Sequence, residues 1–451
     1  MVSHENTARV FRTSRDSGQR LSETAAPSWR QSADTAIPQI CVYAKKRFQV
    51  IEGFGGAFTE AAATTFYKLP ADLQREILTA YFDRQAGHGY SLCRTHLNSC
   101  DFALGNYAYD DVDGDTNLDH FSIERDRRAL IPMIREAMKC AGEGLRLFAS
   151  PWSPPAWMKT NRMMNHGGKL LPQHRETWAR YIVRYIEEYR REGIALWGLT
   201  VQNEPESTQT WDSCIYTAEE ERDFVRDFLG PALERAGLSD LKLMIWDHNR
   251  DRIFHRASTV YDDPAAARYV WGTAFHWYMV DCFDNVRLVH DTFPDKALLF
   301  TEGCVERGPK TGEWWVGEKY AHAIIHDLNN WAVGWVDWNM LLDENGGPNH
   351  VKNFCSAPII ADTQKNTVHY QSSYYYIGHF SRFFRPGAAR IVAASPLDQL
   401  ETTACVNTDG TVAAVVLNRT DNAIAFAVQY DRGFLHLSVE PHGILTVCFP
   451  Q

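Results

Sequence analysis

LTVQNEP, residues 199–205, begins as an apolar, strand-like segment and reaches a carboxylate, Glu204, where the strand-like part stops. LLFTEG, residues 298–303, repeats this pattern and ends at Glu302. A carboxylate at the end of a buried strand costs free energy unless it is paired or takes part in chemistry. If both strands belong to one parallel barrel, both carboxylates face the same pocket. We therefore predict that Glu204 and Glu302 lie close together.

Strand-like segments recur eight times, and the stretches between them are long enough for a helix each. They are Phe48–Phe54, Tyr90–Leu97, Leu145–Ala149, Leu196–Val201, Leu241–Ile245, Val270–Phe275, Ala297–Phe300 and Ala332–Val336. The intervening residues 71–78 and 178–189 carry apolar side chains at the three- and four-residue spacing of a helix. This alternation predicts an α/β fold, a (β/α)₈ TIM barrel, whose active site is built from the C-terminal strand ends.

After residue 384 the pattern changes to short strands of alternating polarity, with a hairpin turn at Asp409-Gly410. It predicts an appended antiparallel β-sandwich over residues 385–451, which a strand within residues 36–47 completes. The catalytic barrel is then expected over residues 48–384. Residues 1–35 are rich in Ser, Thr, Arg and Gln and are expected to form a flexible N-terminal lead-in.

The composition of the 451-residue chain excludes several classes of partner. Its net charge of −10 argues against nucleic acid or an anionic membrane surface. The sequence has no apolar run long enough to span a membrane. The first thirty residues lack the apolar region of a secretory signal, and the 10 cysteines include no C-x-x-C motif. We therefore expect a cytoplasmic location with reduced thiols. The sequence does not define an oligomeric state.

Facing glutamates are the groups that cleave a glycosidic bond. Glu204 would act as the general acid, with a pKa raised by burial or by a nearby like charge. Glu302 would be the ionised carboxylate close to the anomeric carbon. The alternative is that each glutamate forms a salt bridge at the barrel rim. For two such residues with flanking aromatic side chains, this alternative is the weaker interpretation.

Further residues near strand ends are candidates for the same pocket: Arg94, Asp101, Trp152, His276, Tyr278 and Trp338. Arg94 would hold one carboxylate ionised, and Tyr278 would hydrogen-bond to a carboxylate. Asp101 would accept hydrogen bonds from sugar hydroxyls, and the tryptophans would stack on sugar rings. The structural alternatives are an ion pair for Arg94, a loop cap for Asp101, core packing for the tryptophans and a rim pair for His276 and Tyr278.

Motifs for other chemistries are absent or incomplete. Gly53-Phe54-Gly55-Gly56 follows a strand, but Phe58 breaks the dinucleotide-binding fingerprint. The sequence contains no H-E-x-x-H, G-x-S-x-G or P-loop motif. Two alternatives from other classes stay open: a metal-dependent barrel hydrolase that uses Asp247 and His276, and a carbohydrate-binding barrel that has lost catalysis.

Several motifs from about residue 50 onward, taken together and in order, resemble glycoside hydrolase family 30, specifically its glucosylceramidase branch. They are IEGFGGAFTEA (51–61), NSCDF (98–102), ASPWSPPAWMKT (149–160), NEP (203–205), FHWY (275–278), TEGC (301–304), GWVDWN (334–339) and VKNF (351–354).

The resemblance implies a (β/α)₈ barrel with a β-sandwich and a retaining exo-β-glucosidase that uses no cofactor and no metal. Its substrate would be a β-glucoside or a glucan-type oligosaccharide, and a β-1,6-glucanase or β-xylosidase is the alternative within the family. Glu204 matches the acid/base and Glu302 the nucleophile. The sugar-binding positions match Asp101, Trp152, Asn203, Trp338 and Asn353, and the positions around the nucleophile match Arg94, His276 and Tyr278.

Overall fold

The computed structural model describes residues 8–451, and residues 1–7 of the predicted lead-in lie outside the described residues. The strands are β1 (Arg9–Ser14), β2 (Ser22–Thr24), β3 (Gln39–Val50), β4 (Gly53–Phe58), β5 (Leu92–Leu97), β6 (Arg146–Pro151), β7 (Leu196–Thr200), β8 (Lys242–Asn249), β9 (Gly272–His276), β10 (Ala297–Glu302), β11 (Ala332–Asn339), β12 (Leu341–Asp343), β13 (Ile359–Asp362), β14 (Thr367–Tyr370), β15 (Ala389–Ala394), β16 (Leu400–Val406), β17 (Thr411–Asn418), β18 (Ile424–Tyr430), β19 (Gly433–Val439) and β20 (Gly443–Pro450). The α-helices are α1 (Glu60–Lys68), α2 (Ala71–Phe82), α3 (Leu130–Ala141), α4 (Arg175–Arg191), α5 (Ala218–Phe224), α6 (Gly230–Arg235), α7 (Ile253–Tyr261), α8 (Pro264–Ala267), α9 (Phe283–Thr292), α10 (Trp315–Asn329) and α11 (Ser372–Ser381).

Strands β4 to β11 form the predicted barrel. Each strand pairs in parallel with its neighbour along the chain, and β11 pairs with β4 to close the ring. The first barrel strand was predicted to begin at Phe48, about five residues too early, because residues up to Val50 continue β3 and the barrel starts only at Gly53. Gly55 lets β4 approach β5, since a Cβ at this position would lie 1.9 Å from the Leu92 carbonyl oxygen.

Apolar side chains fill the barrel interior and the space between the strands and the helices. The interior cluster consists of Leu92, Phe148, Met244, Ala274, Leu299 and Val336. Helix α4 illustrates the outer layer, where Trp178, Tyr181, Tyr185 and Tyr189 recur at helical spacing and are fully buried. Within residues 8–451, no helix combines the length and the apolar character that crossing a bilayer requires.

The appended domain is the predicted β-sandwich. Its nine strands follow the order β19-β18-β3-β15-β16-β17-β20-β1-β2, and every neighbouring pair is antiparallel except β18 and β3. They enclose a separate apolar core that contains Val10, Ile40, Phe426, Leu445 and Phe449. The strand expected within residues 36–47 is present as β3.

The N-terminal segment differs from the predicted flexible lead-in. Strand β1 pairs with β20 along its whole length, and β2 pairs with β1 at the edge of the sheet. Val10 and Phe11 are buried, and the Phe11 ring packs on Phe383 with centroids 4.5 Å apart. The polar composition concealed this strand, because the apolar residues that anchor it are few.

Candidate active site

The C-terminal ends of the barrel strands surround a cavity of about 290 Å³. Eight of the predicted site residues line it: Asp101, Trp152, Asn203, Glu204, Tyr278, Glu302, Trp338 and Asn353. The other two, Arg94 and His276, are fully buried and contact Glu302 and Glu204, respectively. The structure therefore brings together at one site all the residues that the sequence proposed.

A polar layer lies on top of the apolar layer inside the barrel. Arg94, Ser150, His276 and Thr301 each stand two residues beyond an interior apolar residue of the same strand, and all four are fully buried. Side chains two residues apart on a strand point to the same side. The strand periodicity thus carries these polar groups into the barrel, immediately beneath the cavity.

Asp247 joins this layer through an irregularity in β8. The pairing of β8 with β9 shifts register between Trp246 and His248, and both Trp246 (φ 73°) and Asp247 (φ 50°) adopt left-handed backbone conformations. Regular alternation after Met244 would direct Trp246 into the barrel. The bulge directs the Asp247 carboxylate there instead.

The Asp247 carboxylate is hydrogen-bonded by side chains from five different strands. Its Oδ2 accepts hydrogen bonds from Arg94 Nη2 (2.8 Å), Thr200 Oγ1 (2.7 Å) and Ser150 Oγ (3.0 Å). Its Oδ1 accepts one from Thr301 Oγ1 (2.6 Å) and lies 3.0 Å from His276 Nε2. Although burial alone would raise the pKa of Asp247, Arg94, His276 and Thr301 lower it well below its ordinary value. Asp247 is therefore a buried anion that fixes Arg94 and His276.

Arg94 connects this anion to the cavity. Its Nη1 donates to Glu302 Oε2, and its Nη2 donates to Asn203 Oδ1 (2.8 Å) as well as to Asp247. The guanidinium has no solvent exposure, so these charge-assisted bonds are strong and geometrically fixed. One side chain thereby positions both Asn203 and Glu302.

Glu302 has two donors and is almost completely buried. The second donor is the Tyr278 hydroxyl, 2.8 Å from Glu302 Oε1. Burial and the nearby Glu204 charge raise the pKa of Glu302 above its ordinary value, against the opposing effects of His276 and Arg94. Glu302 is thus held in one orientation by Arg94 and Tyr278 on separate oxygens.

Glu204 lies in a strained backbone conformation (φ 46°), and its N–H donates to the Asp247 carbonyl oxygen at 3.0 Å. Its Oε1 is 3.3 Å from His276 Nδ1 and 3.8 Å from His248 Nε2. Burial raises the pKa of Glu204, but the two imidazoles lower it more, so it lies below its ordinary value. The expectation that burial or a like charge gives Glu204 a raised pKa is therefore wrong for this site, because His248 and His276 both lie close to the carboxylate and favour its ionised form.

His276 carries the proton that Glu204 lacks. Burial lowers its pKa, but Glu302, Asp247 and Glu204 raise it to about 9. Its two ring nitrogens face Asp247 and Glu204, so the imidazolium has an acceptor on each side. The two glutamates are close to each other as well: Glu204, His276 and Glu302 each place one oxygen or nitrogen within 4.8 Å of the others.

Aromatic and amide side chains form the rest of the cavity wall. Trp152 and Trp338 stack with ring centroids 5.1 Å apart, and Arg94 lies 4.7 Å from the centroid of the Trp152 ring. Asp101 accepts hydrogen bonds on Oδ2 from Asn353 Nδ2 (3.2 Å) and Asn349 Nδ2 (3.3 Å). Apolar ring faces beside a fixed carboxylate suit a ligand with both hydroxyls and C–H faces.

Other residues of the cavity were not predicted. They include Ser207, Gln209, Trp211, His248, Asn249, Met279, Cys304, Glu306 and Cys355. A local signal existed for His248 and Asn249, because the polar run 247–249 directly follows an apolar strand. No local signal existed for Asn349, which contacts Asp101 across 248 residues of sequence.

Two groups within the described residues bring three metal-ligating atoms within 4.8 Å of one another: Glu204–His276–Glu302 in the cavity, and His322–His326–Glu401 outside it. In the cavity group, Arg94 already binds Glu302 and His276 is cationic, so the group opposes a metal ion. The alternative of a metal held by Asp247 and His276 is disfavoured for a similar reason, since both Asp247 oxygens accept several hydrogen bonds.

Comparisons with known proteins agree with this architecture. The glycosyl hydrolase family 30 TIM-barrel domain matches residues 51–384, and the glycosyl hydrolase family 30 beta sandwich domain matches residues 387–447. Lysosomal acid glucosylceramidase of Mus musculus is 38% identical over 410 residues, which cover 87% of this chain and 79% of that protein. Endo-1,6-beta-D-glucanase of Neurospora crassa is 29% identical over 410 residues, which cover 86% of this chain and 82% of that protein.

A solved structure has the same overall fold as this chain. The crystal structure of SrfJ from Salmonella typhimurium matches with a TM-score of 0.94 and 39% sequence identity, covering 98% of this chain and 99% of that chain. The family domains and the glucosylceramidase relatives establish an enzyme that hydrolyses O-glycosyl bonds. The chain belongs to glycosyl hydrolase family 30.

Proposed function

We propose that this enzyme is an exo-acting β-glucosidase of glucosylceramidase type that works with retention of configuration. The observation that carries the proposal is the close approach of Glu204 and Glu302, with carboxylate oxygens within 4.8 Å of each other. Retaining glycosidases have carboxyl groups about 5 Å apart, whereas inverting enzymes separate them by about 6.5 Å or more to admit a water molecule. The shorter spacing supports a covalent intermediate.

In the first step, a Glu302 oxygen attacks the anomeric carbon and the glycosidic C–O bond breaks. Glu204 gives a proton to the departing oxygen, and we assign the origin of this proton to His276, whose Nδ1 is 3.3 Å from Glu204 Oε1. In the second step, a water oxygen bonds to the anomeric carbon as the bond to Glu302 breaks, and Glu204 takes a proton from this water and returns it to His276. Arg94 and Tyr278 keep the Glu302 carboxylate aligned for both steps.

Asn203 is placed to favour the transition state over the bound substrate. Arg94 Nη2 holds its Oδ1, so its amide Nδ2 is free to donate to a sugar hydroxyl next to the anomeric carbon. Hydrogen bonds to the 2-hydroxyl strengthen as positive charge develops on the ring. The stacked Trp152 and Trp338 rings supply an apolar surface for the sugar.

The glucosylceramidase type is supported by the named relatives and by the apolar character of one side of the mouth. Met279 lines the cavity and is 60% exposed, and the adjacent Val280 is 65% exposed. Adjacent exposed apolar side chains at a cavity mouth suit an apolar leaving group. The second candidate is a β-1,6-glucanase, which the Neurospora crassa relative favours.

The test compares kcat/KM for glucosylceramide, an aryl β-glucoside and β-1,6-gluco-oligosaccharides. We expect glucosylceramide and the aryl glucoside to be preferred, and a first-formed product in the β-configuration by NMR. Preference for internal bonds of the oligosaccharides supports the glucanase instead. An α-configured first product contradicts retention.

The role of Glu204 has its own test. Glu204→Ala should lose activity on glucosylceramide but keep the first step for a dinitrophenyl β-glucoside, whose leaving group needs no proton. Added azide should then restore turnover and yield β-glucosyl azide. Equal loss on both substrates without azide rescue assigns the acid to another residue.

A further inference from the structure

A second cluster of titratable side chains lies outside the active site, where the barrel meets the sandwich. His322 and His326 stand one turn apart on α10, and Glu401 comes from β16 of the sandwich. One ligating atom from each of the three lies within 4.8 Å of the other two. Nothing in the proposed hydrolytic mechanism uses these residues.

We propose that His322, His326 and Glu401 bind a divalent transition-metal ion, best matched by zinc, that bridges the two domains. Histidines at positions i and i+4 of a helix present their rings on one face. Two imidazole nitrogens and one carboxylate oxygen are a known ligand set for zinc, which completes its tetrahedron with water.

The distances fit such a site with little adjustment. Glu401 Oε2 lies 2.6 Å from His322 Nδ1 and 3.4 Å from His326 Nε2. Ligand atoms around a tetrahedral zinc with bonds of about 2.0 Å are about 3.3 Å apart. The His322–Glu401 contact must open by less than an ångström, as the proton between these two groups is released to solvent. The ligating nitrogens of His322 and His326 lie within 4.8 Å of each other, so a small approach of the two rings completes the site.

The surroundings orient the ligands as they do in metal sites. His322 Nε2, the nitrogen that faces away from Glu401, is 3.5 Å from Asp281 Oδ2, so a carboxylate can fix the tautomer that leaves Nδ1 for the metal. Arg419 Nε binds the other Glu401 oxygen, Oε1, at 2.7 Å, which turns Oε2 toward the histidines. The Phe283 ring stacks on His326 with centroids 4.8 Å apart and restricts its rotation.

An ion can reach the site from solvent. His322, His326 and Glu401 line an open cleft of about 420 Å³ together with Arg419 and with Ser395, Leu397, Asp398, Leu400 and Thr402 of the sandwich. His326 is 37% exposed at its side chain, so it can give up its present contact without uncovering the core. Asn329 Nδ2 of α10 also donates to the Thr402 carbonyl oxygen at 3.0 Å, which holds helix and strand in register across the cleft.

The experiment is a calorimetric titration of the full-length, reduced enzyme with zinc chloride. We expect one zinc per chain, and an affinity about 10- to 100-fold lower in His326→Gln and in Glu401→Gln. His120→Gln is the matched control, because His120 is also a surface histidine paired with an aspartate, Asp115, at 2.8 Å. It should bind zinc as the wild type does. Hydrolysis of an aryl glycoside by His326→Gln reports that the variant is folded.

A second arm locates the ion. Glu302→Gln changes the active-site group and should leave the zinc affinity unaltered. Co²⁺ should give visible d–d absorption of a tetrahedral site in the wild type and lose it in His326→Gln. Zinc should also raise the Tm of the wild type but not of His326→Gln, because the ion binds only the folded chain with both domains assembled.

The proposal is overturned if saturable zinc binding is absent, or if His326→Gln binds zinc as tightly as the wild type. Loss of binding in Glu302→Gln with retention in His326→Gln would place the ion in the active site and also contradict it. In each of these cases the cluster is an ion-pair contact between the domains. None of these outcomes changes the proposed hydrolytic function, which is tested by product analysis.

Discussion

Two clusters in the barrel each pair a buried arginine with buried carboxylates, yet only one of them lies at the cavity. Outside the barrel strands, Arg250 donates to both Asp327 oxygens at 2.9 and 2.6 Å, and neither side chain has any solvent exposure. Beneath the cavity, Arg94 faces both Asp247 and Glu302, with Glu204 close by. In the first cluster one guanidinium faces one carboxylate, whereas the second cluster has more carboxylates than cationic groups.

The two clusters also differ in how their aspartates are solvated. Asp327 receives hydrogen bonds from Arg250 and from Trp335 Nε1 (3.2 Å), and burial outweighs them and raises its pKa. Asp247 receives five donors, which outweigh burial and lower its pKa. Burial and ion pairing alone therefore do not identify an active site. The distinguishing features are surplus carboxylates that face a cavity and an anion beneath them that is solvated by protein donors.

The largest expected effect is a loss of catalytic activity, and it should occur only when the cluster at the cavity is changed. Glu302→Gln should lower kcat/KM by about 10⁴-fold or more, because it removes the nucleophile. It should lower the free energy of unfolding less than a change in the structural pair does, because the glutamine amide oxygen can still accept a hydrogen bond from Arg94, and Arg94 keeps Asp247 as its counter-charge. Glu306→Gln, a second carboxylate of the cavity wall, is the control and should stay active. Residual activity near the wild-type level would refute the assignment.

The structural pair should respond in the opposite way. Asp327→Asn leaves Arg250 buried without its counter-charge and should lower the free energy of unfolding by about 3–5 kcal/mol. The kcat/KM of the remaining folded enzyme should match the wild type, because no atom of this pair lines the cavity. Chemical denaturation and initial rates measure the two quantities. A variant that is stable but inactive would place this pair in the catalytic machinery.

The pH dependence of stability should also differ between the clusters. The pKa of His276 is about 9 in the native state, against about 6.5 when unfolded. Its contribution, about 3 kcal/mol, is therefore fully present below pH 6.5 and is lost as the pH rises through 9. The wild type should lose this amount relative to His276→Gln in urea unfolding over that range, and Asp327→Asn should follow the wild type. Parallel curves for wild type and His276→Gln would contradict the charged state of His276.

The smallest expected effect concerns the orientation of the nucleophile. Tyr278→Phe removes one hydrogen bond to a charged oxygen, worth about 1.5–3 kcal/mol. This corresponds to a loss in kcat/KM of about 10- to 150-fold. Tyr67→Phe is the matched control, because Tyr67 donates to Glu136 at 3.0 Å away from the cavity. An equal effect of both changes would mean that Tyr278 acts only through stability.

Local sequence patterns predicted the barrel and the ends of its strands, because strands and helices each have a characteristic spacing of apolar residues. Glu204 and Glu302 were found in this way, as polar residues where apolar segments stop. The central place of Asp247 was not predicted, since a β-bulge reverses the alternation that would have buried Trp246 instead. The pairing of β1 with β20 and the contact of Asp101 with Asn349 join distant parts of the chain, and neither has a local signature.

The most direct test of the central claim is trapping with a 2-deoxy-2-fluoro-β-glucosyl fluoride, followed by peptide mass spectrometry. The 2-fluorine slows both steps by destabilising their oxocarbenium-like transition states, whereas the good fluoride leaving group keeps the first step fast, so a covalent intermediate accumulates. We predict one sugar per chain, attached to Glu302, and no labelling of Glu302→Gln. Attachment to Glu204 or to another residue, or inhibition without a covalent adduct, would contradict the roles assigned to the two carboxylates.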